Sequence, residues 1–86
     1  MNYTDEKTQK LNVVTHSKTI CGKRVKYALC KLEESEYEIS VWRDGREESA
    51  KFFCDFFTIV DLLKVIENTD TLPENIKEIA EDFAHL

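Results

Sequence analysis

Glycine and proline are scarce in this chain, with two Gly and one Pro in 86 residues. That scarcity excludes a collagen-like repeat, a Gly-rich linker and a low-complexity tail. It also leaves no series of glycines from which a phosphate-cradling loop could be built. Long apolar runs are missing too: no stretch approaches the roughly 18 residues of a membrane span, and no charged-then-apolar leader opens the chain. A soluble, cytoplasmic protein with no membrane contact is therefore expected. Cysteine is sparse and odd in number. Cys21, Cys30 and Cys54 fall in no CxxC, CxxH or HxxxH spacing, which argues against a closed disulfide framework and against a zinc site. Reduced thiols and no metal or other cofactor are expected. Positive charge is in the minority, 12 Lys and Arg against 17 Asp and Glu, for a net charge of -5. That balance disfavours nucleic acid and anionic membranes as partners and favours protein.

What is present is a foldable composition, 42% hydrophobic and 34% charged, at a length that fits one domain. Residues 1–10, MNYTDEKTQK, have no periodicity and read as a polar lead-in; residues 11–86 read as a single domain. From Leu11 to Cys54 the apolar pattern has period two. The dipeptide Asp44-Gly45 tolerates the positive φ of a two-residue type I′ turn. With those two residues as the loop, Arg43 faces Arg46, Val41 faces Glu48, Ile39 faces Ala50, Tyr37 faces Phe52 and Glu38 faces Lys51. Tyr37, Ile39, Val41, Ala50, Phe52 and Cys54 then share a core face, while Glu38, Ser40, Trp42, Ser49 and Lys51 share the other. A turn at Glu34-Ser35 sets Leu32, Cys30 and Ala28 on the core face and aligns Lys31 with Glu38 and Lys51. A turn around Cys21-Gly22 adds an N-terminal edge strand, with Leu11 and Val13 facing the core.

Beyond Cys54 the period lengthens. Thr58 and Asp61 resemble a capping box, with Phe57 and Leu62 as its hydrophobic staple, so a helix is predicted from Ile59, with Ile59, Leu62, Leu63 and Ile66 on one stripe. Thr71 and Glu74 repeat the signature, Pro73 falls in the first turn, and Ile76, Ile79, Ala80 and Phe83 form a second stripe. The expected fold is α+β: an antiparallel β-meander of three to four strands followed by two C-terminal helices packed on one face of the sheet. Tyr37, Phe52 and Phe83 should meet between the layers.

Few residues carry chemistry. Cys30 and Cys54 point to the core in this register, and His85 lies in the last turn. Cys21, in a turn beside Lys23 and Arg24, is the one candidate nucleophile. Two surface features remain. Lys18, Lys23, Arg24 and Lys26 form a basic stretch in an acidic protein, either a docking patch or the charged protection of a strand edge. The face opposite the core collects Val14, His16, Tyr27, Leu29, Trp42 and Phe53, too apolar for plain solvent. Tyr27, Leu29, Trp42 and Phe53 are the candidate interaction face for a protein partner or self-association.

The segments EYEISVWRDG and DTLPENIKEIAEDF, with Glu81, Asp82 and Phe83, resemble a family of small clostridial and Firmicutes proteins of unknown function. The likeness covers about half the chain. It implies a hairpin running into two helices and a bacterial cytoplasmic setting, and carries no activity or site residues with it. The expected function is a non-enzymatic protein-interaction or regulatory module. The alternative is a small phage or mobile-element inhibitor that occludes a nucleic-acid enzyme, and a thiol enzyme built on Cys21 ranks last.

Overall fold

The computed structural model describes residues 11–85, and the expected lead-in over 1–10 lies outside them. Four antiparallel strands run in sequence order, β1 (Leu11–Ile20), β2 (Lys23–Glu33), β3 (Glu36–Arg43) and β4 (Arg46–Phe53). They are followed by helix α1 (Phe56–Asn68), a 3-10 turn (Pro73–Asn75) and helix α2 (Ile76–Ala84). The fold is the α+β meander with two C-terminal helices that the periodicity predicts.

The turns explain why the strands stop where they do. Asp44 and Gly45 have φ of 52° and 78°, and Cys21 and Gly22 have φ of 52° and 79°. Both loops are therefore two-residue turns of the I′ kind, whose twist matches the strands they join. The β3–β4 register is the predicted one, from Arg43 opposite Arg46 to Tyr37 opposite Phe52.

The β2 register differs from expectation. Glu33 pairs with Glu36 around the predicted Glu34-Ser35 turn, but Leu32 is bulged, and beyond it Lys31 faces Tyr37 and Leu29 faces Ile39. One extra residue reverses the face of every side chain behind it. Val25, Tyr27 and Leu29 are therefore in the core, at 0%, 1% and 0% exposure. Ala28 turns to the open face instead, and Cys30 there approaches Asn12, its Sγ lying 3.0 Å from Asn12 Oδ1. Glu38 aligns with Cys30 and Lys51, not with Lys31. A second bulge, at Val13, lies in β1, where Val14 pairs with Leu29 and His16 with Tyr27. Val14, His16, Lys18 and Ile20 consequently share the helix-covered face.

The helices close that face. Ile59, Leu63 and Ile66 of α1 and Ile76 of α2 are buried against Val25, Tyr27, Leu29, Tyr37, Ile39, Val41 and Phe52. Ile79, Ala80, Phe83, Ala50 and Cys54 pack around them, and Phe83 meets Phe52 edge-on at 5.7 Å. Helix α1 begins three residues earlier than expected, because Asp55 and not Thr58 is its cap: the Asp55 carboxylate accepts the Thr58 N–H at 2.8 Å. Thr71 does not cap either. It is buried at 5% exposure, its hydroxyl lies 3.1 Å from that of Thr69, and its carbonyl accepts the Tyr27 hydroxyl at 2.7 Å. The cap position of the 3-10 turn is Leu72, and the Asn75 side chain reaches back to accept its N–H at 3.3 Å.

Candidate interaction surface

The two ends of the sheet differ in character. At one end lie the two tight turns, with an opening of about 310 Å³ lined by Ile20, Cys21, Lys23, Arg43, Asp44 and Leu72. Lys23 Nζ contacts Asp44 at 2.8 Å, and this bond holds the Asp44 carboxyl below its usual value of 3.8. Arg43 pairs with Glu74 at 3.5 Å. Cys21 is exposed at this opening, but no histidine lines it. His16 lies across the sheet with Nδ1 2.8 Å from Glu67, and His85 Nδ1 contacts the Glu81 carbonyl at 2.9 Å. A nucleophilic thiol needs a base or a lowered pKa. The Cys54 thiol goes the other way, raised by burial and by Asp55.

The basic stretch is divided by its own hairpin. Lys18 faces the helices, where it donates to the Glu67 carbonyl at 2.7 Å and pairs with Asp70 at 2.6 Å. Lys23 is held by Asp44 in the turn. Arg24 and Lys26 alone reach the open face, exposed and without a carboxylate partner among the described residues. Lys26 lies opposite Trp42, which lies opposite Glu47. The aromatic interaction face is likewise divided: Tyr27 and Leu29 are under the helices, and only Trp42, half-buried, and Phe53 remain on the outside. The row between them is small and hydroxylated, with Thr15, Ala28, Ser40 and Ser49 side by side.

The apolar surface lies at the other end, where β1 starts, β2 turns into β3, and β4 passes into α1. The Cys54 N–H donates to the Ser35 carbonyl at 3.1 Å and ties these connections together. Around them Leu11, Phe53 and Phe57 are 64%, 70% and 79% exposed. Phe56 lies with its ring 6.4 Å from Tyr37 and 6.0 Å from Phe57, and is itself 45% exposed. The sequence places Leu11 and Val13 on the core face and Phe57 in a staple with Leu62, and does not single out Phe56; the structure exposes all four, Leu11 and Val13 because they lie at the outer end of the edge strand and Phe57 because the cap is Asp55. With Asp55 as the cap, both phenylalanines fall in the first turn of α1, a position where the helix dipole favours carboxylates, and that turn contains none.

From this end a groove of about 250 Å³ runs between β1 and α1. Leu29 and Leu63 form its floor, Val13, Val14, Phe56 and Val60 its walls, and Lys64, His16 and Glu67 its rim. The outer edge of β1 has no neighbouring strand among the described residues. Among the described residues no group of three His, Cys, Asp or Glu side chains gathers as metal ligands, and no helix is long and apolar enough to cross a membrane. No protein-family model, no curated protein and no solved structure matches the chain.

Proposed function

We propose that this protein is a non-enzymatic interaction module that docks a protein partner through the apolar end of its sheet. One observation carries the reading: Phe56 and Phe57 lie ring to ring at 6.0 Å in the first turn of α1, both exposed, at the end of the sheet whose two edge strands also expose Leu11 and Phe53. Single exposed apolar residues are ordinary, but a pair of exposed aromatic rings in contact, with further exposed apolar residues at the same end, marks a contact surface. Phe56 keeps a ring contact with buried Tyr37, whereas Leu11, Phe53 and Phe57 are mostly exposed. Phe57 in particular has its ring in water at a helix position that a carboxylate would stabilise better.

The surroundings support a protein as the partner. Glu33, Glu34 and Asp55 rim the same end, exposed and without an ion-pair partner among the described residues, which disfavours a polyanion there. The divided basic stretch supports the same conclusion, since only Arg24 and Lys26 are left to meet phosphates.

Affinity capture from the source organism tests this reading, with the wild type, Phe57→Ser and Trp42→Ala compared side by side. A partner retained by the wild type and by Trp42→Ala but lost by Phe57→Ser is the expected result. Loss with Trp42→Ala alone would move the surface to the open face of the sheet and overturn the assignment.

A further inference from the structure

We propose that the β1 edge and the groove beside it bind an extended segment of a partner protein as a fifth strand, with apolar side chains at alternate positions and a carboxylate directed at Lys64. The proposal rests on the docking role above and specifies how the partner is held.

The backbone supplies the first half of the argument. Ile20 and Lys23 flank the two-residue loop and face each other, so they form a hydrogen-bonded pair. Bonding then alternates along the strand. Lys18, His16 and Val14 bond to β2, whereas Thr19, Ser17 and Thr15 turn their N–H and C=O groups to the outer edge. All three are exposed. Strand edges are usually protected by proline, by short length or by flanking charge. β1 is ten residues long, has no proline, and Lys18, its one charged residue besides the titratable His16, is held inward by Asp70 and the Glu67 carbonyl.

The side chains supply the second half. An added strand sends every other residue to the helix side, where the groove beside Val14, Phe56 and Val60 gives those residues an apolar seat. Main-chain bonds with sockets for alternate side chains are how sheet edges capture peptides. Lys64 sets the charge of the ligand: it is exposed on the rim and has no carboxylate partner among the described residues. A second copy of this chain fits poorly, because its own β1, Leu11–Ile20, has no carboxylate to meet Lys64.

The probe is an acetylated, amidated octapeptide that alternates valine and threonine and has a glutamate at each end, paired with the same peptide carrying lysines instead. Amide exchange at Thr15, Ser17 and Thr19 should slow on adding the glutamate peptide. Ser17→Pro removes one outward N–H while sparing the β1–β2 bonds, and should weaken binding about tenfold, the effect of one hydrogen bond lost. Lys64→Glu, on the exposed helix face, should reverse the preference between the two peptides. No protection of those three amides at millimolar peptide, or an unchanged preference in Lys64→Glu, would overturn the proposal. Partner capture that depends on Phe57 but not on Ser17→Pro would overturn strand addition and leave the docking role standing.

Discussion

Tyr27 shows what a single buried polar atom can decide. Its ring is in the core and its hydroxyl donates to the Thr71 carbonyl at 2.7 Å, fixing the link between the helices to the centre of the sheet. Burial, with the charges of Asp70 and Glu67, pushes this phenol up to about 12 from 10.0. A raised value means that the unfolded chain ionises first, so the contribution is complete below pH 10 and is lost as pH rises towards 12. Tyr27→Phe should cost about 1 to 2 kcal/mol at neutral pH, because the Thr71 carbonyl is left unpaired. In urea titrations across that alkaline window, the variant should lose less stability than the wild type. Cys21 makes the opposite case. It is the non-glycine partner of Gly22 in its turn, at a φ of 52°, where asparagine is better tolerated. Cys21→Asn should raise the unfolding free energy by about 0.5 to 1 kcal/mol, and a lower value would show that the thiol makes a contact worth keeping.

At the scale of elements, one bulge separates the expected β2 from the observed one. The segment KRVKYALCKLEE is apolar in both parities, with Val25, Tyr27 and Leu29 on one and Ala28, Cys30 and Leu32 on the other. A turn fixed at Glu34-Ser35 selects the second set unless a residue is skipped. Side-chain volume held the answer, since Tyr, Leu and Val fill a core better than Ala and Cys. The Asp44-Gly45 hairpin, with no bulge, could be read residue by residue. Deleting Leu32 would join Lys31 directly to Glu33 and leave Lys31 opposite Tyr37 with no residue skipped, so Tyr27 and Leu29 keep their places in the core. Cooperative unfolding should survive the deletion at a loss of only about 1 kcal/mol; its disappearance would refute this account of the register. The α1 boundary was hidden because Asp55 and Thr58 are both good caps. Asp55→Ala should lower the urea midpoint of unfolding by removing this cap. Thr58, through its side chain and its backbone N–H, holds the Asp55 carboxyl below 3.8, so that contribution is present above this value and lost as pH falls through the lower folded one.

For the whole molecule, architecture was legible and surface was not. Period, turns and helix stripes define which layers form, but a surface depends on which parity is covered and where a helix begins. Lys18, Lys23, Arg24 and Lys26 are close in the chain yet cross a hairpin whose faces alternate, so the structure scatters them. Tyr27 and Leu29 exchanged an open face for the core through Leu32 alone. Phe56 and Phe57 gained a surface when the cap moved to Asp55. The sheet is thus covered on one side by its helices and left with an aromatic end, an edge with no neighbouring strand among the described residues and a groove beside that edge. Hydrogen exchange of the protein alone and with its captured partner tests this account most directly. The account predicts slowed exchange confined to the first turn of α1 and the outer edge of β1; slowing centred on Lys26 and Trp42, with neither of those regions changed, would contradict it.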